Sequence, residues 1–261
     1  MKIIDLESKH KDNYFHCLEE WSDEMKDAGD SKEKWYEKMK DRGLRVKLAE
    51  DDQGRICGMI QYVPSEYSFV DTAGFYIVKC IWVYGYKEGM GNQQKKGIGT
   101  QLIEAAEQDC RELDTNGLLV WGISMPFFMR ASWFKKHGFK KIDKDNIRIL
   151  LWKPFKEGVI PPKLVKKKKK LELIEGKVTV QAFVNGWCPA SNIVYERMKK
   201  ISEEFKEYIV FEYYDTSNKE VFDEWGVLDA VYLDGKVVQK GAPPSYEKLY
   251  SKVAKKVSRL K

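Results

Sequence analysis

The sequence predicts an α/β protein in two domains. Three observations carry that prediction. Hydrophobic segments of period two alternate along the chain with segments of period 3.6, a proline- and lysine-rich stretch without periodicity interrupts them, and 261 residues exceed the usual size of one domain. With 43% hydrophobic and 33% charged residues, eight Trp and fourteen Tyr, both halves can bury a core.

Tyr14, Cys17, Leu18, Trp21 and Met25 recur at helical spacing, so a helix is expected first. "LRVKLAEDDQGRICGMIQYV" then reads as two strands joined at Gln53-Gly54. "FYIVKCIWVY", Phe75 to Tyr84, is a long strand of β-branched and aromatic residues leading into a glycine loop. After the loop, Ile98, Leu102, Ala106, Cys110 and Leu113 form one apolar face of a helix. "GLLVWG", an apolar run bounded by glycines, suits a buried parallel strand. "FFMRASWFKKHGF" reads as a helix stopping at Gly138, and "IRILLWKPF" as a last strand. From Pro154 to about Gly176 nothing periodic survives, so the expected division is residues 1–155, a basic linker 156–176, and 177–261. Beyond the linker the order βαβαββα is expected, closing with a tight turn at Asp234-Gly235, a short strand and a terminal helix.

The net charge of +6 comes largely from "KKKKK", Lys166 to Lys170, and from the final helix. That run lacks interleaved aromatics, so it is expected to be a solvated, flexible segment and not a nucleic-acid surface. Five scattered cysteines without a C-x-x-C pair, and three histidines, support neither a disulfide framework nor a metal site. No apolar run reaches membrane-spanning length and "MKIIDLESKHKD" becomes charged early, so a cytoplasmic protein without a membrane partner is expected.

The stretch Gly89 to Thr100 invites an anion. A P-loop needs Lys after its last glycine, but Ile98 follows Gly97. A dinucleotide fingerprint needs a third glycine where Leu102 stands. What remains is Q-x-x-G-x-G, Gln94 to Gly99, between a strand and a helix. Its glycines let main-chain N–H groups approach an anion, the helix start adds donors, and Lys95 and Lys96 add charge.

With the strand "KCIWVY", the motif Gln94-Lys95-Lys96-Gly97-Ile98-Gly99, the strand "GLLVWG" and "ASWFKKHGF" in that order, residues 1 to 153 resemble the GNAT superfamily of acyl-CoA-dependent N-acyltransferases. The resemblance implies a mixed, mostly antiparallel twisted sheet flanked by helices, acetyl-CoA as co-substrate and no metal. It implies direct transfer of an acetyl group to the amine of a small molecule or peptide. The main chain of Ile81, Trp82 and Val83 would hold the acyl carbonyl and pantetheine arm. Gln94, Lys95, Lys96, Gly97, Ile98, Gly99 and Thr100 would hold the pyrophosphate, with Ser132, Trp133 and Phe134 lining the thiol end.

Two departures from the family pattern bear on the chemistry. Where the family often has a tyrosine that protonates the leaving thiolate, this chain has Phe134, which has no proton to give. Tyr84, Tyr86 or Cys80 are the substitutes, or proximity within a ternary complex accounts for the rate. The loop "GYKEGMGN" also lengthens the approach to the motif, and Glu88 within it is the candidate base, with Glu66 and Asp71 behind it. The alternative is a CoA-binding sensor or scaffold without turnover.

The second half, with "NGWCPAS" at its first strand-to-helix turn, resembles a thioredoxin-like domain, and the pairing resembles the YoaP-like acetyltransferases. Cys188 stands where a helix start lowers a thiol pKa, but Ser191 replaces the resolving cysteine, and Ala230 and Val231 stand where thioredoxins carry a proline. A degenerate docking module is expected, with a monothiol enzyme using Cys188 as the alternative.

Overall fold

The computed structural model describes residues 1–20, 22–125 and 128–260. Trp21, in the first helical pattern, and Phe127, in the "FFMRASWFKKHGF" segment, lie outside the described residues. The chain divides into two compact units, Met1–Leu18 with Glu37–Val165, and Glu19–Tyr36 with Lys166–Lys261. Residues 19–36 therefore group with the C-terminal half, an excursion that sequence periodicity does not reveal.

The first unit is built on a seven-stranded sheet in the order β1-β2-β3-β4-β5-β7-β6. Its strands are β1 (Lys2–Asp5), β2 (Arg45–Glu50), β3 (Ile56–Pro64), β4 (Tyr76–Val83), β5 (Gly117–Ile123), β6 (Lys140–Asp145) and β7 (Arg148–Pro154). Only β4 and β5 run parallel. β1 and β6 went unread in the sequence. β1 is short and half-exposed, and β6, KKIDKD, is charged at every position except Ile142.

The first helix is also shorter than its periodicity predicts. α1 (Lys11–Phe15) stops because Cys17 and Leu18 adopt left-handed backbone conformations, and α2 (Asp23–Lys26) and α3 (Ser31–Lys40) follow separately. The long helix α4 (Ile98–Glu112) buries Ile98, Leu102, Ile103, Ala106 and Cys110 against the sheet. α5 (Ala131–Lys136) closes the same core with Ala131 and Phe134.

α4 is also fixed by charge. The Arg45 guanidinium grips both Asp109 oxygens, Tyr62 Oη donates to Asp109 Oδ2 at 2.6 Å, and Lys47 Nζ lies 3.4 Å from Oδ1. Burial pushes the Asp109 carboxyl up, yet these donors outweigh it and hold the group below the usual carboxylate range.

In the second unit, β8 (Val178–Val184), β9 (Ile209–Asp215), β10 (Ala230–Leu233) and β11 (Lys236–Val237) form a sheet in the order β11-β10-β8-β9. β8 and β9 are parallel, and the other pairs antiparallel. With α6 (Pro189–Glu204), α7 (Lys219–Trp225) and α8 (Tyr246–Val257) the sequential order is βαβαββα. Arg197 of α6 binds residues 19–36 to this unit, donating to Asp27 Oδ2 at 2.9 Å, Glu24 Oε1 at 3.2 Å and the Pro244 carbonyl at 2.8 Å.

Lys166 to Lys170 are exposed, as expected of a solvated run, and several of them also make contacts. Lys168 N–H donates to the Trp225 carbonyl and its Nζ to the Asp223 carbonyl, Lys169 pairs with Glu224, and Lys167 lies over the Tyr232 ring. The exposed carbonyls at the end of α7 attract these cations, which a count of charges does not show. No helix among the described residues is long and apolar enough to cross a membrane.

Candidate functional site

The site begins with a parting of strands. β4 and β5 pair only through Tyr76 with Leu118, Ile77 with Leu119, and Val78 with Val120, although β4 runs on to Val83 and β5 to Ile123. The cause lies in the register of β3, where Gln61 faces Cys80 but Tyr62 faces Val78, leaving Lys79 as an extra residue on β4. Such a bulge bends its strand. Trp121 Nε1 donates to the Lys79 carbonyl at 2.9 Å and fills the root of the gap.

Beyond it, Ile81, Trp82 and Val83 have no pairing with β5. Ile81 and Val83 pack toward the core under α4. The Trp82 indole N–H is buried without a hydrogen-bond partner, and its ring lies 6.1 Å from Phe128 and 6.2 Å from Tyr86.

The loop from Tyr84 to Gly97 is tied down by its own polar groups. Tyr84 N–H donates to the Cys57 carbonyl, Gln93 N–H to the Tyr84 carbonyl at 2.9 Å, and Gln94 Nε2 to the Val83 carbonyl at 3.2 Å. The side chain of Gln94 thus straps the loop to the end of β4, and its own N–H donates to Asn92 Oδ1. Lys95, Lys96 and Gly97 are exposed.

Gly97 caps α4 with a left-handed φ of 81°, and a Cβ built there would meet nothing within 4 Å. No side chain caps this helix, so its first-turn N–H groups face outward beside two lysines. Ile98 is buried and can offer a ligand only its main chain. The space beside Gly99 is taken by Trp133, 3.3 Å from a built Cβ.

Other expected residues are placed differently. Phe134 is fully buried among Trp133 and Phe139, so its ring does not line the thiol end; Ser132 and Trp133 on the same helix retain exposure. A helix of period 3.6 turns one of three successive residues inward. Tyr84 is 2% exposed, and its hydroxyl donates to the Glu88 carbonyl at 3.0 Å, which makes it a strut of the loop. Cys80 is buried, Tyr86 half-buried, and Glu88 exposed with its carboxylate toward solvent.

Glu66 and Asp71 lie in the β3–β4 connection, before Tyr76. An eight-residue strand, about 23 Å in rise, separates that end from Val83, too far for either to serve as the base. Glu66 instead accepts from Ser65 Oγ and Gly74 N–H.

Cys188, in the second unit, is the half-buried N-cap of α6 and forms no disulfide. The turn before it backs onto α3, since a Cβ at Gly186 would lie 2.8 Å from the Ser31 carbonyl and 3.1 Å from Trp35 Cβ. Among the described residues no group of three or more metal-ligating side chains gathers.

One residue that touches the first turn of α4 went unread in the sequence. His137 follows α5, with Nδ1 2.9 Å from the Trp133 carbonyl and Nε2 3.0 Å from Thr100 Oγ1 in the first turn of α4. The only signal was its spacing four residues after Trp133.

The chain is similar in fold to an acetyltransferase of the GNAT family from Staphylococcus aureus Mu50, at 18% identity over 59% of this chain and 99% of that one, with a TM-score of 0.43. It is also similar to a GNAT family acetyltransferase from Brucella melitensis in complex with acetyl-CoA, at 16% identity over 61% and 90%, TM-score 0.40. A GNAT family N-acetyltransferase from Escherichia coli in complex with CoA gives 12% identity over 62% and 88%, TM-score 0.44. No curated relative matches the sequence. The sequence profile of the acetyltransferase (GNAT) family matches residues 4–139, more than half of the length, and the chain belongs to that family.

Proposed function

We propose that the first unit is an acetyl-CoA-dependent N-acetyltransferase that transfers the acetyl group directly to a bound amine. The observation that carries this reading is the parting of β4 from β5 after Val78, beside a helix that opens on an uncapped glycine turn. Along Ile81 to Val83 the edge of β4 away from β3 has no strand beside it, and apart from the Val83 carbonyl, which accepts from Gln94 Nε2, it offers the hydrogen bonds of a strand to the extended, amide-bearing pantetheine arm. The first turn of α4, with Lys95 and Lys96, takes the pyrophosphate. Solved GNAT structures from Brucella melitensis and Escherichia coli hold acetyl-CoA and CoA, which supports the same co-substrate here.

The chain's residues contribute mainly position. The gap between the strands holds the thioester carbonyl next to a main-chain donor, where negative charge develops as the amine attacks. The amine must first lose its ammonium proton, and the exposed Glu88 of the loop is the candidate carboxylate to receive it, directly or through water. Phe134 has no hydroxyl and Tyr84 donates its own to the Glu88 carbonyl, which leaves the half-buried Tyr86 beside Trp82 as the tyrosine candidate for protonating the CoA thiolate. A panel of amines assayed for thiol release from acetyl-CoA tests this. Tight CoA binding with no release from any amine would establish the sensor reading instead.

For the second unit we propose a thioredoxin-like, YoaP-like module without redox turnover. Its sheet order β11-β10-β8-β9 with a parallel β8–β9 pair supports that topology, and the covered turn at Gly186 together with Ser191 supports the loss of thiol exchange. Alkylation of Cys188 at neutral pH no faster than a simple thiol is the expected result. An accelerated rate would restore the monothiol reading.

A further inference from the structure

We propose that His137 is a member of the phosphate cradle, acting through Thr100, so that binding of the CoA diphosphate takes up a proton. This rests on the acetyl-CoA reading above and adds to it a residue outside the glycine motif.

The hydrogen bonds dictate the chemistry. A carbonyl oxygen only accepts, so the 2.9 Å contact with the Trp133 carbonyl requires the hydrogen on His137 Nδ1. In the neutral ring Nε2 then holds a lone pair, and Thr100 Oγ1 at 3.0 Å must donate to it. In that state the Thr100 hydroxyl hydrogen points at the imidazole, and the oxygen turns only lone pairs elsewhere. An anion at the first turn of α4 meets a repulsive oxygen.

Protonation reverses the order. Nε2–H donates to Thr100 Oγ1, the threonine hydrogen is released toward the phosphate, and a full positive charge stands one hydroxyl away from the anion. The ring is held in place for this. Trp133 lies against it with ring centroids 4.0 Å apart and planes tilted by 36°, and Trp133 also lies against Gly99 of the same helix turn.

Proton and phosphate therefore favour each other's binding. The charged residues on the elements that carry or adjoin the ring are Lys135 and Lys136 on α5, Lys140 on β6, Lys95 and Lys96 in the loop, and Glu104 and Glu107 on α4; Lys153 of β7 pairs with Glu107 at 2.6 Å and approaches Gly138.

The test is calorimetric titration of the full chain with 3′-dephospho-CoA, which lacks the monoester phosphate whose own second ionisation falls near pH 6. Titrations in buffers of different ionisation enthalpy should show uptake of roughly half a proton per ligand near pH 7, with affinity roughly fivefold tighter at pH 6 than at pH 8. His137→Gln, whose amide can donate to Thr100 without titrating, should bind with no proton uptake and a flat profile. Thr100→Val should lose the same pH dependence.

No proton uptake by the wild-type protein, or an unchanged pH slope in His137→Gln, overturns the proposal while leaving the CoA reading intact. Absence of dephospho-CoA binding at every pH overturns both. The wild-type measurement decides even if a variant folds poorly.

Discussion

The two units each contain a strand, a turn and a helix start, and the two turns have opposite chemistry. At Gly97 the turn before α4 is exposed, uncapped and flanked by lysines, with open space where a side chain would stand. At Cys188 the turn before α6 carries Pro189 at the first helical position, so one N–H is missing, and the backbone at Gly186 is pressed against Ser31 and Trp35. Both helices share the dipole that attracts anions. What separates them is access: the donors at the start of α4 are neither removed by proline nor covered by the chain. The same contrast holds for the anchors, Asp109 fixing α4 from beneath and Arg197 fixing residues 19–36 onto α6.

The largest expected effect lies in the first anchor. Asp109→Ala leaves Arg45 and Tyr62 facing an emptied site and should cost about 3 kcal/mol, read as a lowered urea midpoint. A loss below about 0.5 kcal/mol would show the network to be dispensable. Acid should act through the same group. Its folded pKa is depressed, so its contribution is present above the unfolded value of about 4 and lost as pH falls through the folded one. Stability should decline below about pH 4, less steeply in Asp109→Asn.

Next comes the second anchor. Arg197 is 10% exposed but its carboxylate partners are about half exposed, so Arg197→Ala should cost less, about 1.5 kcal/mol. Hydrogen exchange should rise across residues 19–36 before it rises in β8. Uniform exchange would mean that the segment is held by other contacts.

At the open turn, Gly97→Val places a β-branched residue at φ 81° and should weaken CoA binding at least tenfold, about 1.4 kcal/mol. Gly97→Asn, which tolerates that conformation, should lose less, and equal losses would point to blockage of the cradle rather than backbone strain. The smallest effect is expected at the covered turn. Cys188→Ser should leave acetyl transfer within about twofold, below about 0.5 kcal/mol. A larger fall in kcat/KM would tie the thiol to the chemistry.

Much of this architecture was legible in the residues. The alternation of "FYIVKCIWVY", Q-x-x-G-x-G and the apolar stripe from Ile98 to Cys110 announced β4, the turn and α4, because local periodicity and glycine placement report local structure. The expectations that failed depended on neighbours. Phe134 was assigned to a ligand and belongs to the core, since three adjacent helical residues cannot all face one way. The sequence names Tyr84 a candidate acid without showing that its hydroxyl donates to the Glu88 carbonyl. Glu66 and Asp71 lie beyond the far end of a strand, a distance that sequence separation does not express.

By itself the sequence determined the succession of strands and helices, the glycine turn and the family, because these rest on spacing along one chain. Only the tertiary structure decided that β4 leaves β5 at the Lys79 bulge, that residues 19–36 cross to the other unit, and that His137 meets Thr100. Each of those depends on register and packing between segments distant in sequence, where the energy of a contact is set by what the other segment presents.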